Sequence, residues 1–549
     1  MQYQAYGDTK DALATNAIEP ATRPALSGPR ARRTAARASR RWRRSCLSLL
    51  GLPVLALPAA AAAQTKGMVA ANDHTVTIFD ADTNTVLATL DLPGDGVATG
   101  DCSINPDGTR GFVTDFSGAV HVIDLTTNML AAGLNPIPIA NNGEDTSITR
   151  DGKYIVVCDG ANVADVSVID VATQAEIGSF PTGADCNSVD VCGDGSVLVT
   201  SFTAGEVRRL VIDGAGTLTD TGQSLALGTD GPMNVACAPG SDSGIVINYS
   251  TGDIRSFTIP GLSAVHVRAL PSSGDSVVIS GVSAFTRSIG FSPSLQGWAY
   301  DPATGALGAT PFFDIPISDA SPFFGMDQIG LHPTTGAVYV TEPYELNRYH
   351  PGTGALLGTM ALPSEEPTGV CFQPVPTCVT IRRGVSGSVR DSDLTPGNGN
   401  WAAGAYPYLW TGGAPSTHWA LLGFDTSFIP ADALVTSAKV SVYGLWSQSF
   451  TTVRAHEVLN PWSESAVSWT NFGLAANFDP AVIASFAAGG GSGAKTFDIT
   501  PLAQAWVDGS ADNNGLLLEE TAGPSPHAFV ASEASTVSQR PKLDICYFR

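Results

Sequence analysis

Charge is scarce in this chain and positive charge scarcest: Asp, Glu, Lys and Arg make up 15% of 549 residues, with 29 Lys and Arg against 51 Asp and Glu. Ten of those basic residues fall within residues 1–63, which hold only three acidic ones, so the formal charge of −22 becomes near −29 for the remainder. Such a surface repels nucleic acid and anionic lipid, which excludes nucleic acid as a partner and leaves cations and neutral polymers such as sugars. No later apolar run is long enough to cross a bilayer as a helix, so no transmembrane segment is expected in the mature chain. Helix-length amphipathic segments are missing too, whereas Gly (58) and Pro (36) are plentiful, a composition that suits short strands joined by tight turns. Local catalytic signatures are also absent. Neither His-Glu-x-x-His nor Gly-x-Ser-x-Gly occurs, and the nearest phosphate-loop match has Ala494 where Gly must precede Lys495 and Thr496. The Gly489 to Gly493 run beside it reads as a loop. An active site assembled from distant parts of the chain would leave no such signature and survives these exclusions.

What the basic start offers is an address. Arg30, Arg32, Arg33, Arg37, Arg40, Arg41, Arg43 and Arg44 precede the apolar run Leu47 to Leu57, and Ala59 to Ala63 supply a small-residue cleavage site. Residues 1–63 therefore read as a secretory signal peptide, with the mature chain starting at Gln64. Arg43 stands where a twin-arginine signal wants an apolar residue, which favours the Sec route. Cys46 precedes the apolar run, which argues against a lipoprotein anchor. The expected location is secreted, extracellular or at the cell surface, where the eight remaining cysteines can form disulfides.

An apolar strand closed by Asp recurs along the mature chain: Val76 to Asp80, Val120 to Asp124 and Val166 to Asp170. Looser copies follow at Leu210 to Asp213, Ser256 to Pro260, Trp298 to Asp301 and Asn347 to His350, seven in all. Their spacing of about 45 residues is the length of a four-stranded propeller blade. A closed ring of such blades leaves no long exposed edge. Within one repeat an inner strand, Cys102 to Asn105, leads through a Pro106-Asp107-Gly108 turn into Gly111 to Thr114 and Val120 to Ile123. The chain opens on a second strand, Gly67 to Ala70, while a spare inner strand sits at Gly369 to Phe372, so the last strand should complete the first blade. The expected fold is all-β, a seven-bladed β-propeller over 66–375 followed by a jelly-roll-like β-sandwich over 377–549.

The Pro-Asp-Gly turns and endings such as Val122-Ile123-Asp124-Leu125-Thr126-Thr127 resemble YVTN-type propellers of exported bacterial proteins. That resemblance implies architecture rather than activity, since related propellers include surface proteins, lactonases and lyases. After Pro374-Val375-Pro376 the landmarks are Ala420 to Asp425, Ala438 to Tyr443, Trp462-Ser463-Glu464, Val467-Ser468-Trp469, Phe497 to Thr500, Trp506, Asn514 to Leu516 and Arg540 to Leu543. In that order they resemble a DNRLRE domain, which implies a sandwich that holds a polysaccharide or surface. Trp419 stands where that family commonly has an Arg.

Candidate sites follow from residue chemistry. Trp401, Tyr406, Tyr408 and Trp410 would serve as sugar-stacking platforms if exposed, or cover a local core if not. Trp462 and Trp469, with their small polar neighbours, read as sheet-to-sheet core. Cys378 and Cys546 lie at the two ends of the sandwich, whose terminal strands should be neighbours, and a bridge there would contribute about 3 to 5 kcal/mol. The six propeller cysteines are left as free thiols or bridges. The spacing of Cys186 and Cys192 matches no common zinc pair. Acidic residues recur just before the inner strands, at Asp101, Asp145, Asp185, Asp230, Asp275, Asp327 and Glu366. Those of them that gather at the channel, Asp101, Asp145, Asp230 and Asp327 foremost, could hold Ca²⁺ or a polar ligand; the alternative is a set of solvated loop acids. Otherwise no cofactor is called for. The histidines read as structural, with His332, close in sequence to Asp327, the remaining candidate for a general base.

Binding is preferred over catalysis. The expectation is a secreted or cell-surface protein whose propeller offers an interaction face, with a protein as its candidate partner, and whose sandwich binds a polysaccharide or cell-surface glycan. The alternative is a propeller enzyme of lyase or lactonase type, targeted by the sandwich.

Overall fold

The computed structural model describes residues 64–548 except 95–97, 134, 141, 161–164, 230, 239, 241, 319–326, 414–416, 432, 446, 474–475 and 521–525. The expected signal peptide and Asp230 lie outside the described residues. Strands dominate those residues, and α-helix is confined to Trp469–Phe472 and Thr500–Asp508.

Between Lys66 and Phe372 the strands form seven antiparallel sheets of four or five strands. The repeated Asp-closed strand is the third from the axis in each, as in Thr75–Asp80, Ala119–Asp124 and Asp165–Asp170. Its terminal Asp folds the turn that follows. Asp124 Oδ1 accepts from the backbone N and Oγ1 of Thr126 and from Thr127 N, and Asp80 and Asp170 hold their own turns alike. Four residues beyond each Asp the backbone turns left-handed, at Asn84 (φ 57°), Asn128 (56°), Gln174 (53°) and Gly305 (70°).

The innermost strand of each blade packs against that of the next, and the seventh against the first, which closes the ring. Closure comes from Pro367–Phe372, which pairs antiparallel with Lys66–Ala71, Met68 opposite Cys371 and Val69 opposite Val370. Apolar side chains fill the gaps between blades as separate layers, such as Met68, Ile78, Cys102, Ile104 and Val113 between blades 1 and 2. Phe112, Val120, Val122, Ile155 and Val157 form the layer between blades 2 and 3. Each fully buried Phe or Ile in these layers contributes about 1.5 to 3 kcal/mol. Gly67 is required by this packing, because a Cβ there would lie 2.3 Å from the Phe79 ring.

Disulfides resolve the open question of the propeller cysteines. Cys102–Cys371, Cys158–Cys186 and Cys192–Cys237 are bonded, and each joins neighbouring blades.

The strands after Thr377 form two further sheets that share none with the ring. One runs Thr377–Ile381, Lys542–Phe548, Leu434–Gly444, His527–Val530, Tyr408–Thr411, with Gly493–Asp498 also on Leu434–Gly444. The other runs Val389–Leu394, Trp419–Phe424, Leu516–Glu520, Ser447–Glu457, Ala484–Gly490. Ile381, Leu422, Val440, Val453, Phe497 and Leu518 are among the residues of their shared core. The helix Thr500–Asp508 lays Leu502, Ala503, Trp506 and Val507 onto it and ends at Gly509 in the left-handed conformation. The Gly489 to Gly493 segment is where the chain crosses from Ala484–Gly490 in the second sheet to Gly493–Asp498 in the first. Cys378 and Cys546 face each other on the first two strands of the first sheet and are bonded.

Candidate functional site

Tyr408–Thr411 is the edge strand of its sheet and pairs only with His527–Val530 among the described residues. Strand alternation turns Leu409 and Thr411 inward and leaves Tyr408 and Trp410 on the outer face. The chain before it is pinned by Tyr406 N donating to Ala403 O (2.9 Å), with Ala403 buried. Trp401 and Tyr406 are therefore presented beside that strand, 48% and 44% exposed, with Tyr408 at 38%. Their ring centroids are 5.8 Å apart for Trp401 and Tyr406 and 6.0 Å for Tyr406 and Tyr408, each pair edge-on. Trp410, half-buried, continues the row to His418 at 6.4 Å. Buried Asp393 anchors that end, accepting from Trp410 N (3.1 Å) and lying 3.4 Å from His418 Nδ1. The row offers flat, electron-rich faces and phenolic tips, the surface on which the C–H face of a sugar ring stacks.

Other aromatics of the sandwich have a packing role. Trp419 meets Trp469 at a tilt (5.1 Å) and Phe478 edge-on (5.4 Å) beside a small core of Leu394, Leu421, Val458 and Leu517. Trp462 packs there too and donates from Nε1 to Asn514 O (2.8 Å). The Trp419 ring thus fills space between these groups. A cleft of about 720 Å³ opens between Trp419–Phe424 and the helix Thr500–Asp508. Its polar groups are engaged with one another: Arg390 with Asn513 O, Asn513 with Phe424 O and Thr426, and Asp425 with Ser427. Asp391, Glu464 and Glu533 also converge, with the Arg383 guanidinium bound to both glutamates.

In the ring, three of the candidate acids meet. Asp101 on Thr99–Ile104, Asp145 on Gly143–Ile148 and Asp327 just before Ile329–Leu331 each bring a carboxylate oxygen within 4.8 Å of the others. They come from blades 2, 3 and 7, so the meeting point is the axis. The alternative of solvated acids does not hold for Asp101 and Asp145, which are 0% and 1% exposed. Both also lie within their inner strands rather than ahead of them, because those strands start earlier than turn chemistry indicates. Asp145 accepts from Val189 N (2.8 Å) and Asp327 from Asn234 Nδ2 (2.7 Å). Neither oxygen of Asp101 has a hydrogen-bond donor. Burial, then the neighbouring Asp327 and Asp145, push the Asp101 carboxyl well above the usual range, and burial does the same to Asp327.

The remaining acids do not join this group. Asp275 is ion-paired with buried Arg287. Asp185 accepts from Ser201 Oγ (2.7 Å) and Thr203 N (3.0 Å), and Glu366 from Asn72. Two carboxyl groups went unnoticed in the sequence. Burial, helped by Asp145 and Asp185, pushes Glu144 up to about 8. Burial also pushes Asp190 up to about 6. The signal that could have found Asp190 is its place on an inner strand, Ser188–Val191. His332 is not near Asp327 in a pairing sense: its Nε2 lies 3.3 Å from Asp82, and its Nδ1 faces Thr334. The acid group contains no histidine among the described residues.

Residues 400–547 match the model of carbohydrate-binding module family 96, a span that includes the whole aromatic row. No curated protein matches the chain. Among solved structures, a functionally unknown protein from Desulfotomaculum acetoxidans is 21% identical with a TM-score of 0.49, covering 56% of this chain and 99% of its own. A Bacteroides uniformis protein provisionally named a 6-phosphogluconolactonase is 14% identical with a TM-score of 0.47, over 56% and 99%. The Cps50 (Swd1) beta-propeller domain of Myceliophteria thermophila is 13% identical with a TM-score of 0.40, over 51% and 92%.

Proposed function

We propose that this chain is an exported glycan-binding protein. Its DNRLRE-like sandwich holds a polysaccharide or cell-surface glycan on Trp401, Tyr406, Tyr408 and Trp410, and its YVTN-like propeller presents a rigid face to a second partner. The observation that carries this reading is the row of three exposed rings in consecutive contact on a sheet edge, inside the span that matches a carbohydrate-binding module. Four disulfides are in keeping with an oxidising compartment. A sugar face on a ring gains about as much as an aromatic pair, about 1 kcal/mol, so four rings together give about 4 kcal/mol, a Kd near the millimolar range. Affinity electrophoresis of the full chain against a panel of polysaccharides tests it. Retardation by at least one of them, lost in W401A/Y406A/Y408A and kept in F428A at the cleft, supports the row. Equal retardation of the triple variant removes it.

A propeller enzyme of lyase or lactonase type remains the competing reading. It is favoured by carboxyl groups in the ring that burial keeps protonated near neutrality, Glu144 at about 8. Turnover of a bound polysaccharide or of a lactone, abolished in E144Q, would establish it.

A further inference from the structure

We infer that the axis of the ring is a divalent-cation site, built for Ca²⁺ by Asp101, Asp145 and Asp327. Three blades that are not all neighbours in the ring each contribute one carboxylate, and the three oxygens lie within 4.8 Å of one another. Oxygens that close can share one divalent cation, and Ca²⁺, with bonds of about 2.3 to 2.6 Å in flexible geometry, asks less of their arrangement than Mg²⁺, which demands a near-ideal octahedron. The donors are all oxygen, which selects hard cations.

Asp101 supplies the second, independent observation. Its side chain is fully buried, points into the group, and receives no hydrogen bond at either oxygen. A buried carboxylate in that condition is strongly disfavoured unless something else satisfies it. Elsewhere the same chain meets this demand with arginine: Arg287 on Asp275, and Arg383 on Glu464 and Glu533. Among the described residues no lysine or arginine pairs with Asp101, Asp145 or Asp327, and a cation of charge two fits where those arginines would otherwise be. Asp145 is already oriented at both oxygens, by Val189 N (2.8 Å) and Thr146 N (2.6 Å), and a carboxylate so held keeps further lone pairs for a ligand, while Asn234 Nδ2 takes one oxygen of Asp327. Gly369 leaves the room that the group needs, since a Cβ there would lie 2.1 Å from Asp101 Oδ1.

The test uses the full chain stripped with a chelator, titrated with CaCl₂ by calorimetry and followed by thermal unfolding at pH 7.5. One Ca²⁺ per chain and a raised unfolding midpoint are expected. D101N should have the higher midpoint without Ca²⁺, because a repulsion is gone, and should lose at least tenfold in Ca²⁺ affinity together with the Ca²⁺-dependent rise. No uptake by the unsubstituted chain overturns the proposal, as does D101N or D145N binding Ca²⁺ as tightly as the unsubstituted chain. Mg²⁺ bound as tightly as Ca²⁺ overturns the choice of ion. Should D101N not fold, the titration of the unsubstituted chain and of D145N decides. Glycan retardation is measured separately, so failure here leaves the aromatic row standing, and the reverse.

Discussion

Consider the chain with Cys102 and Cys371 both replaced by alanine. Their bridge ties the innermost strands of blades 2 and 1 across 269 residues of sequence, beside the seam where Pro367–Phe372 completes the first blade. In the chain-entropy model a loop of that length restrains the unfolded chain by about 5.5 kcal/mol. The two other propeller bridges lie inside that loop and shorten it, yet the dependence is logarithmic, so the figure changes by only a few tenths of a kcal/mol. Cys158–Cys186, with a separation of 28, closes a much smaller loop and contributes about 3.5 kcal/mol. The comparison between the two double variants cancels most of the lost sulfur packing and leaves a difference of about 2 kcal/mol. Native-state hydrogen exchange read by mass spectrometry gives the opening free energy of Lys66–Ala71 and Pro367–Phe372 directly. Both strands should open more easily in C102A/C371A, while the sandwich strands Leu434–Gly444 and Lys542–Phe548 keep their protection. A seam equally protected in C102A/C371A and C158A/C186A would refute the idea that the long bridge holds the ring closed.

Further outcomes follow from single side chains. Asp190 is raised by burial from 3.8 to about 6, so the folded chain keeps a proton that the unfolded chain has lost between those values, and stability falls by about 2 to 3 kcal/mol as pH rises through that window. D190N, neutral throughout, should show that much less loss of urea stability between pH 4 and pH 7; identical slopes would contradict it. D124A removes the hydrogen bonds to Thr126 and Thr127 in an exposed turn and should cost about 1 kcal/mol by thermal unfolding, with no change counting against the role given to the repeat's Asp. W419A empties part of the cluster with Trp469 and Phe478 and should destabilise the sandwich by about 3 kcal/mol without altering glycan retardation of the folded protein. Lost retardation with the fold intact would return position 419 to a ligand site.

The ring was legible because its signal is local. Asp80, Asp124 and Asp170 each close a strand and build the next turn within four residues, so the repeat can be counted without knowing any long-range contact. The seam was legible for a different reason, a chain that starts on a second strand and ends on a spare first one. What stayed hidden depends on radial position. Cys158 pairs with Cys186 across two blades, and nothing near either residue tells which neighbour faces it. Asp101 and Asp145 were visible as recurring acids, but their burial follows from where each inner strand begins, and a shift of one residue would turn them to the other face. Asp190 was missed for the same reason. In the sandwich the aromatics Trp401, Tyr406 and Tyr408 were conspicuous, whereas their exposure follows from Tyr408–Thr411 being an edge strand, which only the pairing order reveals.

The most direct test of glycan binding is hydroxyl-radical footprinting of the full chain with and without the polysaccharide that retards it most. Protection concentrated at Trp401, Tyr406, Tyr408 and Trp410, with Phe428 and the propeller tyrosines unchanged, is the result the aromatic row predicts. Protection at Phe428 or within the ring, with the row as reactive as before, would contradict it.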